Sequence, residues 1–331
     1  TCSALCNRID MKYDLPTLVK DCTITIGAVQ CEVDGVCYDN CPMLKIPTEE
    51  IESKFLMGAK QEFGKFIEIF AARTTDKQIL SASQDGGIVT TIINYAVKNG
   101  LFDGAVVTGK DEKEPWRPLP FIATSAVELI SAAGSKYTNA PVIKIVAKAI
   151  KEQKMKKIIF VGTPCQVNGF RNLQLNFLKK FEGLDFLAIG LFCSENFVYE
   201  KFSEKIRNLF GVKLEDLNKV DIKKGKVILI LKNGQVLAEK IVPFAGCAMG
   251  SCATCIDFAG ELADISVGGM GSLEKWSTVI VRSKKGSDLF NEIKEAGLVE
   301  TSKEVDFKPI VKMIAKKKAQ GESLKAQKIG G

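Results

Sequence analysis

A chain of 331 residues with a net charge of +7, eleven cysteines and no histidine is long enough for one large domain or two ordinary ones around a real core. The missing histidine excludes a Ser-His or Cys-His nucleophile pair, His-ligated zinc, Rieske centres and His-ligated haem, so difficult chemistry must come mostly from cofactors. An odd cysteine count in so large a chain argues against a complete disulfide framework, and no apolar run approaches the roughly 18 residues of a membrane span.

The N-terminal Thr1-Cys2-Ser3-Ala4-Leu5-Cys6 offers neither a basic n-region nor an apolar h-region, so no signal peptide is expected and the compartment expected is the cytoplasm. The missing initial Met points to processing or trimming. Residues 1–47 are cysteine-dense, close on Pro42 and Pro47, and read as a small module. Residues 48–72 read as a helical connector, and the main domain runs over 73–310. Within it, residues 81–87 are a Gly-rich turn, after which Ile88, Ile92, Ile93, Ala96 and Val97 make a helical stripe that Gly100 stops. Residues 105–108 are a short buried strand, and Ser125 with Glu128 forms a capping box. Residues 158–161 and 186–192 are continuous apolar runs, the mark of inner parallel strands. Residues 227–231 and 236–237 flank Lys232-Asn233-Gly234-Gln235, a hairpin signal, and 279–281 is a late strand. The class expected is α/β, with mixed α+β as the alternative. In the tail, 311–331, Lys312, Lys316, Lys317, Lys318, Lys325 and Lys328 face Glu322 alone. It reads as a solvated helix end or a loose tail; aromatic residues are not interleaved with the charges, so nucleic acid is not the expected partner.

Cysteine carries the clearest chemistry. Cys165 stands in Gly162-Thr163-Pro164-Cys165-Gln166 directly after a strand, Cys193 at the end of another, and Cys252 and Cys255 form a Cys-x-x-Cys with Cys247 upstream. Strand ends are where sheets place functional residues, and two strand ends plus one two-ligand loop can deliver the four thiolates of an iron–sulfur cube. Four thiolates also satisfy zinc, so ligand count does not identify the metal. A second constellation is the 81–91 segment, with Ser83, Asp85, Gly86, Gly87 and Thr90. Paired glycines let a backbone approach a ligand, and the following helix start offers N–H groups to phosphate; a plain helix cap explains the same residues equally well. Gly134-Ser135-Lys136-Tyr137-Thr138 offers hydroxyls, an amine and an aromatic ring, or simply a glycine C-cap with a polar loop. Asn168 and Arg171 follow Cys165, where a cation can meet an anionic cofactor or merely face solvent. Trp276 reads as core packing or a stacking wall.

Six segments in order resemble the beta subunits of coenzyme F420-reducing hydrogenase and F420-dependent formate dehydrogenase. They are 81–90 (SASQDGGIVT), 132–138 (AAGSKYT), 162–166 (GTPCQ) with Arg171, 190–197 (GLFCSENF), 252–268 (CATCIDFAGELADISVG) and 276–282 (WSTVIVR), and they cover roughly residues 70–300. The resemblance implies one FAD, one 4Fe–4S cluster and a pocket for coenzyme F420 as substrate, in an archaeal, methanogenesis-type setting. It implies Cys165, Cys193, Cys252 and Cys255 as cluster ligands, and Ser83, Asp85, Gly86, Gly87 and Thr90 around the FAD phosphates. Lys136, Tyr137 and Thr138 would line the flavin with Asn168 close by, and Arg171 and Lys136 would contact anions of FAD or of the carrier's acidic tail. Cys247 matches no ligand of the family. The partners implied are other subunits of a redox complex of hydrogenase, formate dehydrogenase, heterodisulfide reductase or carbon monoxide dehydrogenase type.

The 1–47 module departs from a plain beta subunit. Cys37-x-x-x-Cys41-Pro42 resembles the end of a ferredoxin run, but Cys31 stands too far from Cys37. With Cys2, Cys6 and Cys22 there are six thiols, short of the eight that two clusters need. The segment reads as a ferredoxin-like module with one further cluster or none, with zinc as a rival. Two other readings stay open: a family member acting on another substrate, such as a chlorophyll intermediate or sulfite, and a non-catalytic zinc or iron–sulfur scaffold.

Overall fold

A computed structural model describes residues 9–12, 15–18, 39–44 and 46–329. Of the six N-terminal thiols only Cys41 falls within them; the readings on Cys2, Cys6, Cys22, Cys31 and Cys37 lie outside the described residues. The first described elements are an antiparallel pair, β1 (Ile9–Lys12) and β2 (Leu15–Leu18), followed by helix α1 (Thr48–Phe55). The helix expected over 48–72 stops at Phe55. Gly58 and Gly64 adopt φ values of +87° and +81°, which only glycine takes without strain, and a hairpin, β3 (Ala59–Gln61) and β4 (Gly64–Phe66), replaces the helix.

Then come β5 (Glu68–Thr74), α2 (Lys77–Ala82), α3 (Ile88–Lys98), β6 (Gly104–Lys110), β7 (Pro118–Ala123), α4 (Ala126–Ser131), α5 (Val142–Lys151), β8 (Lys157–Gly162), α6 (Pro164–Asn176), β9 (Asp185–Leu191) and α7 (Tyr199–Phe210). They are followed by β10 (Leu217–Lys223), β11 (Lys226–Leu231), β12 (Val236–Lys240), β13 (Ile265–Gly268), β14 (Ser277–Val281), α8 (Lys284–Glu295), β15 (Val299–Ser302) and α9 (Phe307–Ile329). An eight-stranded mixed sheet in the order β15-β5-β14-β13-β9-β8-β6-β7 organises the molecule. Its centre, β13-β9-β8-β6, is parallel, and β14 runs against both β13 and β5. The carboxyl ends of β5, β6, β8, β9 and β13 and the start of β14 therefore share one edge, the edge at which open α/β sheets take ligands.

One face of the sheet is packed by α3 and α8, with Ile88, Ile92, Ile93, Leu289, Phe290 and Ile293 in the core. The other takes α5 and α6. On α5, Val142, Ile143, Val146 and Ala149 point inward, the spacing of an amphipathic helix. The sequence-predicted strands at 105–108, 158–161, 186–192 and 279–281 coincide with β6, β8, β9 and β14, and the Ser125/Glu128 box caps α4. The hairpin of β11 and β12 is present, joined by β10 in a three-stranded meander that packs on α7 through Phe202, Ile206, Val220, Leu229 and Phe244. Residues 311–329 of the basic tail belong to α9, with Lys312 and Lys316 exposed as a solvated helix end has them, but Ile314 and Lys317 are buried.

Candidate functional site

Four cysteines arrive from three places along the shared edge. Thr163 caps α6 after β8 and sets Cys165 in the first helical turn, with the Thr163 Oγ1 at 3.3 Å from its sulfur. Cys193 follows β9, its N–H donating to the Phe258 carbonyl (2.9 Å), which ties the strand end to the loop after Cys255. Cys252 and Cys255 lie on a 3-10 turn, Gly250–Thr254, and its edge. That turn is pinned by Met249 N–H donating to Asn196 O (2.8 Å), and Asn196 N–H donates to the Cys252 sulfur (3.3 Å).

Burial pushes the Cys165 thiol up to about 11, with the neighbouring Cys255 and Cys252 adding to the rise. Burial also raises Cys193, against Lys317, with Cys165, Cys252 and Cys255 pushing the same way, and it raises Cys252. The four thiols thus share one electrostatic neighbourhood, in which bare thiolates repel one another and cationic metal makes them compatible. Lys317 of α9 enters it, donating to Cys193 O (3.0 Å) and to the Cys255 sulfur (3.4 Å). Burial works against the charge of Lys317, but Cys255, Cys193 and Asp257 outweigh it and its pKa ends above the ordinary lysine value.

Among the described residues no group of three or more Cys, Asp or Glu side chains is close enough to hold a single metal ion. In number and kind the four thiols match the donors of a 4Fe–4S cube, in which each thiolate takes its own iron. Cys247 is buried in the meander core and donates to Lys201 O (3.5 Å), apart from this group.

Beside the sulfurs a line of contacts joins the glycine turn, the 134–138 loop and the start of α6. Gly86 accounts for the first glycine of the turn: a Cβ there would meet Ala72 O at 2.5 Å and Ser277 N at 2.8 Å, so the turn lies flush on β5 and β14. Its N–H donates to Ser277 Oγ (3.0 Å). Gly87 takes φ +74° and starts α3 without a side-chain cap. Ser83 donates to Ile79 O (2.7 Å) and, like Thr90, is buried. Gln84 Oε1 accepts from Ser135 N–H (3.5 Å), joining the turn to the 134–138 loop. Thr138 then bridges to Phe197, the neighbour of Asn196, and Gln166 at the start of α6 donates to Ala140 O (2.7 Å). Along this chain of contacts four buried polar atoms have no partner: Gln84 Nε2, Thr138 Oγ1, Asn168 Oδ1 and Asn196 Oδ1. Orphaned buried polar atoms are costly, and a bound polar cofactor satisfies them.

The charges here were missed by sequence reasoning. Lys219 of β10 donates to Ser83 O (3.3 Å) and Gln84 O (3.2 Å). Lys223, Lys219 and Lys275 all act on Asp85, whose pKa burial raises despite them. Three amines over a Gly-rich turn suit phosphate or carboxylate. No local motif marks them, because β10 and the loop before β14 fold back from more than 130 residues away.

The expected flavin-lining residues behave unequally. Lys136 is half-buried, donates to the Ala132, Ala133 (3.1 Å) and Gly134 (3.0 Å) carbonyls, and desolvation of its amine brings its pKa down to about 7. The Tyr137 hydroxyl accepts from Ile222 N–H (3.1 Å) and reaches Asp221 (3.5 Å). Arg171 departs from the solvent-facing reading. It is 2% exposed and its guanidinium donates to Leu262 O (3.0 Å), Gln174 Oε1 (2.8 Å) and Asp264 Oδ2 (2.7 Å). A buried arginine must have its charge answered locally, and Asp264 answers it. Trp276 carries Arg73 over its ring at 4.8 Å.

Two family models, for the N-terminal and the C-terminal parts of the coenzyme F420 hydrogenase/dehydrogenase beta chain, match residues 69–147 and 155–306. The chain belongs to the coenzyme F420 hydrogenase/dehydrogenase beta subunit family. Within it, the chain is 37% identical over 255 residues to the coenzyme F420 hydrogenase subunit beta of Methanococcus voltae, covering 77% of this chain and 90% of that protein. It is 32% identical over 312 residues to the coenzyme F420-dependent sulfite reductase of Methanocaldococcus jannaschii, covering 89% of this chain and 46% of that protein. Among solved structures, a chain of the F420-reducing NiFe hydrogenase complex of Methanosarcina barkeri superposes with a TM-score of 0.78 at 30% identity, covering 83% of this chain and 97% of that one. The two family segments span the glycine turn and all four cysteines of the edge. They stop at residue 306, so α9 and Lys317 lie beyond them.

Proposed function

We propose that this chain is the F420-reactive subunit of a larger redox complex, holding FAD along the residues from the glycine turn to the start of α6 and a 4Fe–4S cluster on Cys165, Cys193, Cys252 and Cys255. The single observation that carries the reading is the adjacency of the two sites: Asn196 donates its backbone N–H to the Cys252 sulfur and its buried side-chain oxygen is unpartnered, as are Gln84 Nε2, Thr138 Oγ1 and Asn168 Oδ1. When bound, the flavin exchanges a hydride with the deazaflavin carrier and the cluster moves electrons one at a time. The protein's part is to hold and orient. Lys219, Lys223 and Lys275 attract the anionic groups of FAD or of the carrier's acidic tail. Gln84, Thr138 and Asn168 supply hydrogen bonds, and Tyr137, held by Asp221 and Ile222, stiffens the wall. None of these tasks needs histidine. The names of the relatives, hydrogenase beta subunits and an F420-dependent sulfite reductase, support a partner redox subunit that gives or takes the electrons. Among the described residues no helix is long and apolar enough to cross a membrane, and a cytoplasmic location suits the carrier.

Anaerobic purification with iron, zinc and flavin counts, followed by oxidation of reduced F420 with a dye acceptor, tests the reading. One flavin and about four irons per chain are expected, or about eight if the N-terminal thiols hold a second cluster. Colourless protein carrying zinc and no flavin overturns it in favour of a scaffold module.

A further inference from the structure

Helix α9 is amphipathic with one anomaly. Its buried stripe reads Ile310, Ile314, Lys317, Gly321, the i, i+4, i+7, i+11 positions of a single helix face. A lysine occupies a core position, and only 7% of it is exposed. The helix is held against the cysteine loop there: a Cβ on Gly321 would meet Ile256 Cγ2 at 2.6 Å and Thr254 O at 3.1 Å. Lys318 next door pairs with Glu261 at 3.0 Å. The result is an ammonium delivered to Cys193 O and the Cys255 sulfur, from a segment that neither family segment includes.

We propose that α9 is a strap that places Lys317 on the Cys255 sulfur in order to raise the reduction potential of the cluster held there. The proposal rests on the cluster reading above. Reduction adds one electron to the cluster and no proton, so the thiolate-bound cage becomes one charge more negative. A fixed ammonium donating to a ligand sulfur stabilises that reduced form more than the oxidised one. Hydrogen bonds to sulfur and net charge are established levers on such potentials, and burial keeps water from screening this one. The effect favours electron flow from the reduced carrier toward the cluster.

The test is an EPR-monitored redox titration of the full chain, anaerobic, comparing wild type with Lys317→Arg, Lys317→Gln and Lys317→Met. At a fixed poise the methionine variant is expected to shift the reduced-to-oxidised ratio tenfold toward oxidised, which is 59 mV lower for a one-electron couple. Glutamine, which keeps a donor and loses the charge, falls between, and arginine stays near wild type. An unchanged midpoint in the methionine variant, at full iron content, overturns the proposal. Should that variant assemble no cluster, the glutamine variant decides by the same criterion. Iron and a reducible EPR signal in wild type separate the outcomes: their absence sinks the cluster reading itself, their presence without a shift sinks only the role of Lys317.

Discussion

The two ends of the site are built from different materials. The sulfur end uses residue type: four thiols on three segments, with the Asn196 N–H and one lysine directed at them. The other end uses backbone shape and amines drawn from afar: the flush Gly86 turn, four unpartnered polar atoms and the lysines of β10 and the loop before β14. At the first, a single side chain decides whether the site exists. At the second, function is spread over a surface, and single changes tune it. The largest effect is therefore expected from Cys193→Ser. Iron should fall from about four per chain to near none, and dye-coupled oxidation of reduced F420 by more than the 10- to 100-fold typical of groups that only support a metal ligand. Flavin content should survive. Equal loss of flavin and iron would break the comparison, making the two ends one cooperative unit.

Arg171 gives the next effect and guards the boundary of the site. Arg171→Met strands Asp264, which also accepts from Ala188 N–H at 2.6 Å. Removing one partner of such a buried pair costs about 3–5 kcal/mol, to be read from urea unfolding of the anaerobic protein. Were Arg171 an anion contact instead, unfolding would barely move and flavin affinity would drop.

The contrast between the ends also explains what the sequence could show. Cys165 and Cys193 stand out because cysteine beside a strand end has few other reasons to be there, and the apolar runs of β8 and β9 announce those strand ends; Cys252 and Cys255 stand out by their Cys-x-x-Cys spacing. The helix expected over 48–72 fails because the glycines at 58 and 64 outweigh helical spacing. Arg171 and Lys317 escape for one shared reason. A charged residue reads as surface unless its partner is known, and the partners, Asp264 and the cysteine loop, lie 93 and 62 residues away. For Lys317 a signal does exist: its place on the stripe of Ile310, Ile314 and Gly321. Lys219, Lys223 and Lys275 carry no such mark.

Gly86→Ala tests whether shape rules the second end. The added methyl meets two backbone atoms of β5 and β14 under 3.0 Å, and neither can swing away as a side chain would. Overpacking of this kind costs about 1–3 kcal/mol. Flavin content should fall with it while iron per chain stays constant. Full flavin retention in a destabilised variant would show that the turn is structural and that the cofactor lies elsewhere.

The smallest effect belongs to Asp85, and it sharpens what the amines are for. Burial raises its pKa first, Lys223 pulls it down, Asp221 pushes it up, and the balance is upward. An acid whose folded pKa is raised holds its proton more readily folded than unfolded. Its contribution to stability is then present below the ordinary carboxylate pKa and lost as pH rises through the folded value. In flavin-free protein Asp85→Ser should therefore be more stable than wild type at pH 7, on the order of 1 kcal/mol or less, and the gain should vanish as pH falls to 4. Flavin affinity at pH 7 supplies the second reading. If Lys219, Lys223 and Lys275 exist to hold phosphate, removing the carboxylate among them leaves a purer positive field and FAD binds more tightly. If Asp85 instead accepts hydrogen bonds from hydroxyl groups of the cofactor, the serine variant binds it more weakly, and the lysines are there to hold the carboxylate in place.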